Sequence, residues 1–138
     1  MRATMSVLMI AVLLAPLAGC GGKPNKTPES ATRAYLSYMK AGKWLEAALL
    51  WDYDAQGRAG NSDWDTFSTS QRKLIVKESK WAEEKAKSLE MWSTHFSGDT
   101  KIETVEVNGD EAHAVLDGRV TGLDLIKVGD EWLISEMN

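Results

Sequence analysis

Near residue 100 the apolar residues change from three- and four-residue steps to strict alternation, and close-set turn pairs then divide the alternating stretch. Lys101 to Val107 runs into Asn108-Gly109, a pair that accepts positive φ at both centres of a hairpin turn. Ala112 to Val120 follows, with Ala112, Ala114, Leu116 and Val120 on one face and Glu111, His113, Asp117 and Arg119 on the other. Thr121-Gly122 reads as a second turn, Leu123 to Val128 as a strand, Gly129-Asp130 as a third turn and Glu131 to Met137 as the last strand. Connections this short join antiparallel neighbours only, so a meander of three to four strands is expected.

Upstream the period is helical. Thr27 is placed to cap, Pro28 to occupy the first helical position and Glu29 to meet the positive end of the dipole, and Ala31, Ala34, Tyr35 and Tyr38 recur until Gly42. Trp44 to Trp51 is a second, short, apolar helical run that should be buried, and Gly57, Gly60 and Asn61 mark Asp52 to Asp63 as a loop. From Trp64 to Phe96 apolar residues keep helical steps, with Lys80/Glu84 and Glu83/Lys87 at i,i+4, as one long helix or two with a break. Gly98 is placed to end it. Helices first and an antiparallel meander after them define an α+β fold, N-terminal helices packed on one face of a curved sheet.

The N-terminus has a different character. Arg2 precedes about fourteen largely apolar residues, Met5 to Ala18, against the ~20 that a membrane-spanning helix needs. A positive start, a short apolar centre and a small-residue exit form an export signal. The exit, Leu17-Ala18-Gly19-Cys20, resembles the lipobox of bacterial lipoproteins. That resemblance implies cleavage after residue 19 and a diacylglyceryl thioether on Cys20, in many members with an N-acyl chain as well. At ~0.8 kcal/mol per buried methylene, two or three chains hold a protein on a bilayer. The domain expectation is a signal peptide over 1–19, a lipidated cysteine and flexible tether over 20–27 and one domain over 28–138. Gly21 in place of Asp after the cysteine favours an outer membrane, facing the periplasm, where the host has one.

Thr27-Pro28-Glu29-Ser30, Ala41-Gly42-Lys43-Trp44, Val107-Asn108-Gly109-Asp110-Glu111-Ala112 and the closing Leu125 to Ile134 stand in an order that resembles small exported lipoproteins of the nuclear-transport-factor-like, or cystatin-like cone, superfamily. The resemblance implies a sheet wrapped around helices with a pocket at the mouth of the cone. The chain departs from fuller members in its long Lys/Glu-rich helical stretch and its short meander. Fold kinship assigns no reaction.

Composition narrows the function classes. With 16 Lys plus Arg against 20 Asp plus Glu, the net charge of −4 argues against a nucleic-acid partner. A single cysteine excludes a disulfide framework and thiolate zinc sites. Two histidines, His95 and His113, stand in no metal-ligand spacing; His95 reads as a helix-end partner and His113 as a solvated strand residue. Along one strand His113 and Asp117 would lie ~13 Å apart, too far to act together.

Three sets of residues could carry function. The resemblance extends to ketosteroid isomerases, which use a carboxylate base and a tyrosine in an apolar cavity, a role for which Tyr35 and Tyr38 are candidates; the same spacing fits a core stripe. Asp52, Asp54 and Asp63, with Gly57 between, occupy positions 1, 3, 12 and 6 of a frame that looks like a calcium loop, although Gln56, Ala59 and the Asp at position 12 depart from it. Six tryptophans, Trp44, Trp51, Trp64, Trp81, Trp92 and Trp132, serve either as core or as the wall of a recognition site. The expected function is a lipid-anchored extracytoplasmic binding or interaction module without catalysis. Its partners would be the membrane, through the lipid, and a small apolar ligand or an envelope protein; no cofactor is expected beyond the lipid on Cys20. The alternatives are a small enzyme with its site in the cone and a calcium-binding envelope protein.

Overall fold

The structure, a computed structural model, describes residues 23–96 and 100–138. The signal segment, Cys20 and Gly98 lie outside the described residues. Among the described residues five α-helices come first: α1 (Pro28–Ala41), α2 (Trp44–Ala48), α3 (Asp54–Gly60), α4 (Thr69–Glu78) and α5 (Trp81–Trp92). Short 3-10 turns at Trp64–Thr66 and Ser93–His95 interrupt the helical half. Four strands follow, β1 (Lys101–Asn108), β2 (Glu111–Asp117), β3 (Gly122–Val128) and β4 (Glu131–Met137), in one antiparallel sheet of order β1-β2-β3-β4. The α+β class and the meander are those expected from the period change.

The local chemistry sets the helix ends. Thr27 caps α1 through a capping box with Ser30, and Gly42, at φ 73°, closes it in the left-handed region that a side chain disfavours. α1 turns Ala31, Tyr35, Leu36 and Met39 inward, each large side chain contributing about 1.5–3 kcal/mol by leaving water. They meet a sheet face built by alternation: Ala112, Ala114 and Leu116 on β2, Leu123 and Leu125 on β3, Trp132 and Ile134 on β4. Tyr35 and Phe96 meet edge to face at 5.8 Å. Extra residues on β1, at Glu103, and on β4, at Ser135, shift the register, and such bulges bend the strands that carry them.

Several expectations need correction. Trp44 to Trp51 is helical only to Ala48; Leu45 and Leu49 are exposed, and Trp51 instead forms a parallel bridge with Ile134 on the outer edge of β4. The loop expected over Asp52 to Asp63 contains α3, because Asp52 Oδ1 accepts the Asp54 N–H at 3.0 Å and starts a turn that propagates. Of the two arrangements expected for Trp64 to Phe96 the structure has the second, two helices with a break where Lys80 takes φ 64°. The first hairpin turn falls on Gly109-Asp110, one residue later than expected, and β2 ends at Asp117, so Val120 is buried from a connection and not from a strand. Lys23 to Thr27, expected as tether, is docked on the sheet: Asn25 is buried and its carbonyl accepts the Trp132 N–H at 2.8 Å. Among the described residues no helix is long and apolar enough to cross a membrane.

Candidate functional site

The tight turn at Gly129-Asp130, with Gly129 at φ 65°, delivers Glu131 as the first residue of β4. Its side chain is 1% exposed, yet it carries charge. Oε1 meets Lys73 Nζ of α4 at 2.5 Å and Lys23 Nζ of the N-terminal arm at 3.1 Å. Burial pushes this carboxyl up, but the two ammonium groups outweigh burial and hold it below the usual carboxylate range. Asp130 alongside is paired with Lys26 at 3.3 Å and lies near Lys23 at 3.8 Å, so the arm is clamped to the hairpin by charge. Oε2 of Glu131 is buried with no hydrogen-bond partner among the described residues.

Facing Glu131 is α4. Ser68 caps it reciprocally with Gln71, which fixes the first turn and sends Arg72, Lys73 and Val76 toward the sheet. The Arg72 guanidinium lies 5.6 Å above the Trp64 ring, donates to the Asp65 carbonyl at 3.2 Å and reaches Asp54 Oδ2 at 3.5 Å. Trp64 Nε1 donates to Asp54 Oδ1 at 2.9 Å. The Arg72 Nε–H and the Trp51 Nε1–H, like Glu131 Oε2, are buried with no partner among the described residues. Between α4 and the β3–β4 hairpin these groups border a cleft of about 320 Å³ whose apolar wall includes Trp51, Val76, Val128 and Leu133. Asp52 is at its rim, and burial pushes its carboxyl up.

The sequence candidates are distributed otherwise. Tyr35 is fully buried between α1 and the sheet, its hydroxyl donates to Met137 Sδ at 3.8 Å, and burial pushes its acidity far beyond the physiological range. Tyr38 is half-buried against the core. Among the described residues no carboxylate hydrogen-bonds either tyrosine, and Leu123, Leu125 and Ile134 are buried on the sheet side. Of the calcium candidates, Asp54 is committed to Trp64 and Arg72, Asp52 bonds the α3 backbone, and Asp63 lies beyond the helix that separates it from them. Among the described residues no group of three acidic, imidazole or thiol side chains is disposed to hold a metal ion. Of the tryptophans, Trp51, Trp64 and Trp132 are buried, Trp44 and Trp81 half-buried, and Trp92, on the end of α5, is 48% exposed with His95 against its ring at 4.9 Å.

His113 is not simply solvated. The β2–β3 register places it opposite Asp124, and Nδ1 lies 2.5 Å from Asp124 Oδ1. The ring rests over Gly122, where a Cβ would stand 2.8 Å from Cε1. The His113 imidazole, more than any other neighbour, holds the Asp124 carboxyl down. No hydroxyl or thiol hydrogen-bonds the imidazole among the described residues; Ser135 gives its proton to the Asp124 carbonyl at 3.1 Å. The pair lines a broad acidic surface depression with Glu106, Glu111 and Glu136. Sequence reading missed Asp124 and Glu131. Counting the hairpin register pairs Asp124 with His113, but no local pattern links Glu131 to Lys73, 58 residues away.

Comparison with protein-family models, with curated proteins and with solved structures finds no match to this chain.

Proposed function

We propose that this protein is a non-catalytic binding module of the bacterial envelope, held to the membrane by lipid on Cys20 and belonging to the lipoprotein branch of the cone-type superfamily. The observation that supports a binding role over an enzymatic one is the filled interior: the space between α1 and the sheet is taken by Tyr35, Leu36, Ala114, Leu123 and Ile134, and its one phenol is spent on a thioether. The cleft beside Glu131 is a site open to a small ligand, and its apolar wall suits the small apolar molecule expected of such a module. Placement on the membrane rests on Leu17-Ala18-Gly19-Cys20. Lys23, three positions further on, is already paired with Glu131, so in a lipidated chain the cleft would open close to the bilayer.

Fractionation of the native host tests the reading. The wild-type chain is expected in the membrane fraction, with an intact mass that begins at Cys20 and includes acyl chains. Cys20→Ser should move it to the soluble fraction, and native mass spectrometry should find a small molecule that leaves on denaturation. A polypeptide beginning at Met1, or one with Cys20 unmodified, overturns the anchor; a ligand-free spectrum overturns the binding role.

A further inference from the structure

We propose that β1 is the docking edge for a second copy of this chain: two β1 strands join antiparallel about a two-fold axis, with Lys101 of each copy opposite Glu106 of the other. This goes beyond the reading of the protein as a binding module and rests on neither its ligand nor its anchor.

Among the described residues β1 has a strand on one side only. Such an edge presents N–H and C=O groups that a further strand can use, and the charges on it decide which strand it accepts. Charge along β1 is graded. The strand starts beside two ammonium groups, Lys101 and the Lys40 that donates to the Thr100 carbonyl at 2.7 Å, and runs past Glu103 to Glu106. Lys101 stands opposite Asp117 on β2 and Glu106 opposite His113, yet neither forms an ion pair among the described residues. Antiparallel pairing of a strand with its own copy sets start against end, so each cationic start meets an acidic end.

One register suits both faces of the sheet. Ile102 and Val105 are half-buried on the face that carries Leu116 and Ala114, while Lys101 and Glu106 share the other face with Asp117 and His113. With the axis at Glu103 and Thr104, Ile102 meets Val105 of the other copy and Lys101 meets its Glu106, each pair occurring twice. The bulge at Glu103 then falls on the axis in both copies and leaves the register on either side of it unchanged. The same register carries Val107, which is 57% exposed, to Thr100 of the other copy, where Leu36, Ala41 and Ile102 line a groove between α1 and β1. A second copy supplies the charge order and the apolar spacing together, because the symmetry of the pair makes one patch complementary to itself.

The test uses the full chain, purified in detergent and followed by native mass spectrometry across the micromolar range. A dimer and no larger species is expected. Lys101→Glu and Glu106→Lys, which set like charges opposite each other twice, are each expected to raise the dimer Kd at least about ten-fold with unchanged far-ultraviolet circular dichroism. The double variant Lys101→Glu/Glu106→Lys should restore the dimer. Hydrogen exchange at the β1 backbone amides should slow as the wild-type concentration rises. Should a reversal fail to fold, Lys101→Gln and Glu106→Gln give the same reading at a smaller amplitude, at least about two-fold. A monomer throughout that range, species that keep growing beyond two copies, a dimer untouched by a folded reversal, or a folded double variant that stays monomeric overturns the proposal. Each of those failures leaves the fractionation and the ligand mass to judge the binding-module reading separately.

Discussion

The two sides of β4 are built on different principles. Toward α1, Ile134 and its neighbours Leu123 and Leu125 are sealed against Ala31, Tyr35 and Leu36, and the phenol of Tyr35 has a partner. Toward α4, Glu131 and Leu133 border an open cleft beside which a buried carboxylate is held by two half-exposed lysines, and three polar atoms of the lining residues, Trp51 Nε1, Arg72 Nε and Glu131 Oε2, have no partner among the described residues. The first side obeys the ordinary rule of a small domain, close packing, and its buried phenol is hydrogen-bonded. The second departs from close packing within one strand's width. Stability and recognition are thereby assigned to opposite faces of the same strand, so that the interior need not loosen for a ligand to enter.

The strongest way to break that comparison is to truncate one leucine on each side. Leu125→Ala, on the sealed face, is expected to cost about 2–5 kcal/mol because it opens a cavity, whereas Leu133→Ala, which only widens an existing cleft, should cost under about 1 kcal/mol. Urea unfolding of both variants measures the difference, and equal costs would mean that the cleft is closed in solution. A smaller effect sharpens the boundary between the two sides. Gly57 of α3 supports the cleft's Trp64 so closely that a Cβ would lie 2.2 Å from the indole. Gly57→Ala should therefore cost about 1–3 kcal/mol, read as a lower midpoint in the same titration, and would show that the cleft's aromatic wall is as rigid as the core.

The smallest effect is electrostatic. Glu131 has its carboxyl held down in the folded state, so its contribution is fully present above the ordinary carboxylate range and is lost as pH falls through the folded value. Glu131→Gln should flatten that part of the acid limb in a plot of unfolding free energy against pH. The change should be modest at neutral pH, because Lys73 and Lys23 are half exposed and return to water when their partner is neutral.

The meander was legible because its signals are local: turn pairs, alternation and a strand length set by the pleat. The capped start of α1 at Thr27 was legible for the same reason. Asp52 to Asp63 was not, since its glycines suggest a loop while the Asx turn at Asp52 and the packing of Gly57 under Trp64 make α3 helical. A break between Trp64 and Phe96 was among the expectations, but its position at Lys80 was not legible, because a lysine in the left-handed region carries no compositional sign. The cleft depends on residues from the N-terminal arm, α4 and β4 that meet only after folding. A charged residue at the head of a strand reads as exposed until Lys23 and Lys73 are brought to it. The role proposed for the tryptophans is divided in the same way: Trp132 is core, while Trp51 and Trp64 are core and cleft wall at once.

One edge of the sheet is shut and the other is open. Along β4 the backbone is already engaged by Asn25 and by Leu50 and Asp52, whereas β1 has no strand on its far side among the described residues. Edge-to-edge growth needs two available rims per molecule. Through its β1 rim the described sheet can pair with one further copy about a two-fold axis, and edge-to-edge growth of that sheet stops there.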